Sequence, residues 1–125
     1  MSENYPSDVK LNENQDGTVS FATEVIATIA AAAVREVDGI VSLGGASMEE
    51  LNDRITRKSI GKGIRVTLGE QNVEVECNLV VLYGHSVVEI AKNVQNGVTN
   101  AIESMAGLKV SHVDVNITGI SMSKA

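Results

Sequence analysis

From Ser86 to Gly107 the residues Val87, Ile90, Ala91, Val94, Val98, Ala101, Ile102 and Met105 trace one apolar stripe at helical spacing, and the segments on either side alternate with the period of a strand. No other stretch restricts the fold as strongly. Ser86 with Glu89 forms a capping box that opens a helix of about five turns. Gly107 occupies the place of a left-handed stop, and Leu108 is positioned for the apolar contact that accompanies one. Upstream, Val73, Val75, Cys77, Leu79, Val81 and Tyr83 share one strand face, while Glu74, Glu76, Asn78, Val80 and Leu82 share the other. Downstream, Val113, Val115 and Ile117 oppose His112, Asp114 and Asn116. Each element has one strongly apolar side, which a second layer must cover.

The amino-terminal half supplies that layer. Ile26, Ile29, Ala30, Ala33, Val34 and Val37 recur at helical spacing, the alanines among them allow close approach to a sheet, and Gly39 after Asp38 is read as a left-handed stop. Short strands are predicted at Thr18-Val19-Ser20-Phe21 and Ile40-Val41-Ser42-Leu43. Ser47 with Glu50 predicts a capping box opening a short, mostly charged helix to about Lys58. Ile64, Val66 and Leu68 alternate with Arg65 and Thr67, and Gly69-Glu70-Gln71-Asn72 turns the chain into the next strand. The expected fold class is α+β: a single two-layer domain, with a mixed sheet of about four strands and two long helices packed on one face. Its opposite face, carrying Arg65, Thr67, Glu74, Glu76, Asn78, Val80, Leu82, His112, Asp114 and Asn116, is left for water or a partner.

With 125 residues the chain suits one domain that buries roughly two thirds of its unfolded surface. Residues 1–16 are read as a flexible acidic tail, 17–120 as the folded domain and 121–125 as a short carboxy-terminal tail. The tail holds half of the excess behind the net charge of −6, through Glu3, Asp8, Glu13 and Asp16 against Lys10. The acidic balance argues against nucleic-acid binding, and with no Trp, two Tyr and one Phe there is little to stack bases on. No transmembrane segment is predicted, because Glu24 and Arg35-Glu36 confine the uncharged run to far fewer than the ~20 residues a bilayer needs. One cysteine, without a secretion signal, indicates a reducing cytoplasm.

Chemistry-bearing residues do not assemble into a catalytic, metal or cofactor site in the sequence. Cys77 shares a face with Val75 and Leu79, whereas His112 and Asp114 point to the other side of the sheet, so a metal set with His85 does not converge. Ser86 is explained by its cap, Glu74 and Glu76 read as ordinary glutamates of a solvated strand, and Gly61-Lys62-Gly63 lacks phosphate-loop spacing. Two surfaces remain. Arg54, Arg57, Lys58, Lys62 and Arg65 form a basic stretch that is either a solvated face or a partner-binding one. Val80 and Leu82, on the face away from the helices, expose aliphatic surface that self-association would cover, unless the 48–58 helix or the amino-terminal segment folds over it.

Taken together, Gly17-Thr18-Val19-Ser20 leading to Val25-Ile26-Ala27, then Glu36-Val37-Asp38-Gly39-Ile40, Gly61-Lys62-Gly63-Ile64-Arg65-Val66, Tyr83-Gly84, Val94-Gln95 and Met105-Ala106-Gly107-Leu108-Lys109-Val110 resemble the alkaline shock protein family of mainly Gram-positive bacteria. The resemblance implies a small cytoplasmic protein without established enzymatic activity or cofactor, linked to envelope stress and envelope homeostasis. It also implies that relatives self-assemble and associate with the membrane through a separate anchoring protein, while others are linked to fatty-acid synthesis. The expected function is therefore a non-enzymatic scaffold that forms homo-oligomers and docks to a partner near the cytoplasmic membrane, with no small-molecule substrate. The alternatives are a regulator of a lipid-synthesis enzyme and, further off, an RNA-binding module, which the lack of a G-x-x-G loop disfavours.

Overall fold

The computed structural model describes residues 8–9, 19–44, 46–47, 63–70 and 72–123. Along the chain run β1 (Asp8–Val9), β2 (Val19–Ser20), α1 (Thr23–Arg35), β3 (Ile40–Leu43), β4 (Ala46–Ser47), β5 (Ile64–Leu68), β6 (Asn72–Leu82), α2 (Val87–Ala106) and β7 (Lys109–Ser121). The α+β class is as expected. Strands β1 and β2 pair antiparallel in a sheet of their own, which puts Asp8 and Val9, read above as tail, into a ladder with Val19 and Ser20. The helix expected at 48–58 lies outside the described residues, and Ser47, its expected cap, pairs with Ser42 in the β3–β4 ladder.

Strand β6 organises the main sheet. Along one edge it pairs antiparallel with β5 over Val73–Cys77 and with β3 over Leu79–Val81, so the two short strands lie end to end. Asn78 marks their junction: its N–H donates to Gly63 C=O and its C=O accepts from Gly44 N–H, both at 2.8 Å. Glycine is needed at 63, because a Cβ there would lie 2.7 Å from the Leu43 backbone. Along its other edge β6 pairs in parallel with β7 over its whole length, and α2 supplies the crossover such a pair requires.

Both described helices cover one face. Val73, Val75, Cys77, Leu79 and Val81 of β6 are fully or almost fully buried under Ile26, Ala30, Ala31 and Val34 of α1 and Ile90, Val94, Val98 and Ile102 of α2. The caps of α2 fall on the expected residues: Ser86 Oγ accepts from Glu89 N–H at 3.3 Å, which is the serine half of the capping box, and Gly107 adopts φ 72°. Its C-terminal stripe is shifted. Burial follows Ile90, Val94, Val98, Ile102 and Ala106, and Met105 is 71% exposed. A row of residues four apart is inclined to the helix axis, so by the last turn it has carried the buried side past Met105. The end of α1 also differs from expectation, since the helix stops at Arg35 with Glu36 as its right-handed cap. Gly39, at φ 93°, instead shapes the turn into β3.

Candidate functional site: the outer sheet face

Alternation along three neighbouring strands gathers polar side chains on the face away from the helices. The register aligns Arg65, Glu76 and Asp114 in one row, Thr67, Glu74 and His112 in the next, and Asn78 with Asn116 in a third. His112 Nε2 lies 3.8 Å from Glu74 Oε1 and 3.7 Å from Asp114 Oδ2. Arg65 reaches Glu76 at 3.9 Å, while Asn116 Nδ2 donates to Glu76 Oε2 at 2.8 Å and to Asn78 Oδ1 at 3.1 Å. Arg65, Thr67, Glu74, Glu76, His112 and Asp114 rim a shallow depression over Val75.

Exposed ion pairs of this length add only about 0–1 kcal/mol each. Glu76 opposite Asp114 is moreover a like-charge pair, which disfavours the sheet. The rows therefore add little to stability, and their chemistry is that of a polar surface with three carboxylates around one guanidinium and one imidazole. Val80 and Leu82 continue the same face toward the end of β6, where both are half-buried, and Gly119 lies opposite Val80.

Among the other residues singled out from sequence, Cys77 faces the core and is fully buried, on the opposite side of the sheet from His112 and Asp114. Burial, helped by the nearby Glu76 charge, pushes its thiol from 9.0 up to about 12, which makes it a poor nucleophile and ligand. His85 sits in the turn before α2, its ring 3.0 Å from where a Cβ on Gly39 would stand. Arg54, Arg57, Lys58 and Lys62 lie outside the described residues; Arg65 alone of that basic stretch is placed, on the outer face.

Sequence periodicity misses a second apolar feature. Tyr83, Val88, Ile120 and Met122 are each more than half exposed. They belong to the end of the domain where β6 and β7 finish and α2 begins, and Tyr83 N–H donates there to Ser121 C=O at 2.8 Å. Strand β7 carries two register shifts, opposite Val73/Glu74 and Leu79/Val80, and the second leaves Thr118 as the extra residue. Ile120 is thereby aligned with the core-facing Val81, beyond the cover of α2. The hydroxyls of Ser111 and Thr118 donate to Val73 and Leu79 C=O at 3.1 Å, tying both bulges to β6.

Among the described residues, these elements define a two-layer α+β domain with helices on one side of the sheet and a polar face on the other. The chain belongs to the family of alkaline shock protein 23, whose sequence profile, described by a cell envelope-related function, matches residues 11–122. It is 31% identical over 104 residues to the Bacillus subtilis (strain 168) protein YqhY, covering 83% of this chain and 77% of that one. It is 28% identical over 116 residues to the Streptococcus pyogenes serotype M6 protein Spy1614, covering 91% and 95%. A Streptococcus pyogenes serotype M3 protein named as a stress response regulator gls24 homolog is 27% identical over 105 residues, 83% of this chain and 59% of that protein. A zinc-form structure of MamM CTD aligns with a TM-score of 0.46 at 14% identity, over 81% of this chain and 86% of that one.

Proposed function

We propose that this protein is a non-enzymatic interaction module of the cell-envelope stress response, which self-associates and docks to a partner near the cytoplasmic membrane through its outer sheet face. The observation that carries this reading is the contrast between the two faces. Both described helices lie on one of them, while the other joins a charged, hydrogen-bonded row to half-buried Val80 and Leu82. An aliphatic pair beside polar groups with fixed partners is the usual make-up of an interface core and rim. Membership of a family with a cell envelope-related function sets the cellular context. Among the described residues no helix is long and apolar enough to cross a membrane, so contact with the membrane falls to the partner in this reading. The basic stretch from Arg54 to Arg65 is a second contact, suited to an acidic partner surface.

Substituting Leu82 with Lys places a charge at the centre of the proposed contact, where a half-buried position lets the long side chain reach water. The variant is expected to keep its thermal transition and to lose oligomer mass in light scattering. An unchanged mass would remove Val80 and Leu82 from the self-association surface.

A further inference from the structure

Strand β7 is an edge strand among the described residues, pairing with β6 and with no other strand. Backbone direction alternates along it, the bulge at Thr118 reverses the phase, and one bond on each side of the bulge fixes the parity. Val113 C=O accepts from Gln95 Nε2 of α2 at 3.1 Å, away from β6, whereas past the bulge Ser121 C=O turns toward the β6 side and accepts from Tyr83 N–H, the residue after β6, at 2.8 Å. By this alternation Asp114 and Asn116 direct their N–H and C=O to β6, and Val113, Val115 and Ile117 direct theirs outward. The first part of the outer edge is closed by α2, since Val110 N–H donates to Glu103 Oε2 at 3.1 Å and Gln95 covers Val113 C=O. Among the described residues the protection stops there.

Edge strands are ordinarily guarded by charge, by proline or by cover from another element. From Val115 to Ser123 the sequence Val-Asn-Ile-Thr-Gly-Ile-Ser-Met-Ser contains no charged residue and no proline. The open edge also leads into the exposed Ile120 and Met122. The stretch is self-complementary. With a twofold axis at Asn116, Val115 lies opposite Ile117 of a second copy and both have outward N–H and C=O groups, so each pair exchanges two backbone hydrogen bonds. Asp114 then faces Thr118 and not its own counterpart, which avoids a like-charge contact, and the bulge at Thr118 ends the ladder.

We propose that β7 pairs antiparallel with β7 of a second copy over Val115–Ile117, joining the two outer faces into one continuous surface. This rests on the reading that copies associate, and it assigns them a contact at the sheet edge in addition to Val80 and Leu82.

Amide hydrogen exchange of the full chain, resolved by NMR at high and at low protein concentration, tests it. Asp114 and Asn116, bonded to β6, are expected to exchange slowly at both concentrations. Val115 and Ile117 are expected to be as slow at high concentration and to lose that protection on dilution, as the sedimenting mass halves. Val115→Pro deletes an outward N–H, which an edge position tolerates, at the cost of some packing by the partly buried Val115 side chain, and it is expected to abolish the dimer while leaving Asp114 and Asn116 protected. Fast exchange of Val115 and Ile117 at every concentration would overturn the proposal. Protection that persists in a monomer would overturn it too, since another segment of the same chain would then cover the edge. Lowered mass in Leu82→Lys with unprotected Val115 and Ile117 would leave the face contact standing and reject the edge. The converse result would keep the edge and reject the face.

Discussion

Cys77 gives the fold a pH dependence whose size follows from its position. The thiol lies in the middle of β6, fully buried under both helices, and desolvation together with the Glu76 charge raises it from 9.0 to about 12. Above pH 9.0 the unfolded chain releases this proton and the folded chain keeps it, so the unfolded state is favoured. The associated stability is complete below pH 9.0 and is lost as pH rises toward about 12. At ~1.36 kcal/mol per pH unit the loss is about 1.4 kcal/mol by pH 10 and about 4 kcal/mol at its limit. The first figure is already a sizeable part of the ~5–15 kcal/mol that holds a typical domain together. Urea titrations of the wild type and Cys77→Ala from about pH 8 to about pH 10 isolate the effect, because all other titrations are common to both chains. Cys77→Ala is less stable at the lower pH through the cavity it leaves. The gap between the two chains should narrow by about 1.4 kcal/mol toward pH 10. A gap independent of pH would show that the thiol is not desolvated and would refute the placement of β6 beneath both helices.

Two further substitutions test the turns and caps. Gly39 and Gly84 both have strongly positive φ, but a Cβ on Gly84 meets open space whereas one on Gly39 comes within 2.8 Å of Ile90 Cδ1. Gly84→Ala should therefore cost about 1–2 kcal/mol of backbone strain. Gly39→Ala should cost about 1–3 kcal/mol more from overpacking, and equal losses in urea titration would contradict that turn geometry. Ser86→Ala removes the acceptor for Glu89 N–H and is expected to lower stability by about 0.5–2 kcal/mol, with a matching drop in melting temperature.

Where each element had its own cap and a single apolar side, the sequence was sufficient. Ser86, Gly107 and the strict alternation from Val73 to Val81 specify β6 and α2 with almost no help from tertiary contacts, and the outer face follows from the same alternation. Features set by the packing of one element on another were not legible. Met105 reads as buried in a straight stripe and is exposed because the buried row is inclined to the axis. Gly39 reads as a helix stop, yet α1 ends earlier and the glycine serves the next turn. The bulges of β7 leave no mark on hydrophobic spacing, since Ser111 and Thr118 look like ordinary outward strand residues until the register with β6 is known. The exposed Ile120 and the open edge of β7 were missed for that reason.

Membrane fractionation of cells producing either the wild type or Leu82→Lys tests docking by the outer face most directly. The wild type is expected in the membrane fraction and Leu82→Lys in the soluble fraction, with both chains equally folded and equally abundant. The same distribution for the two chains would contradict the claim that this face carries the protein to its partner.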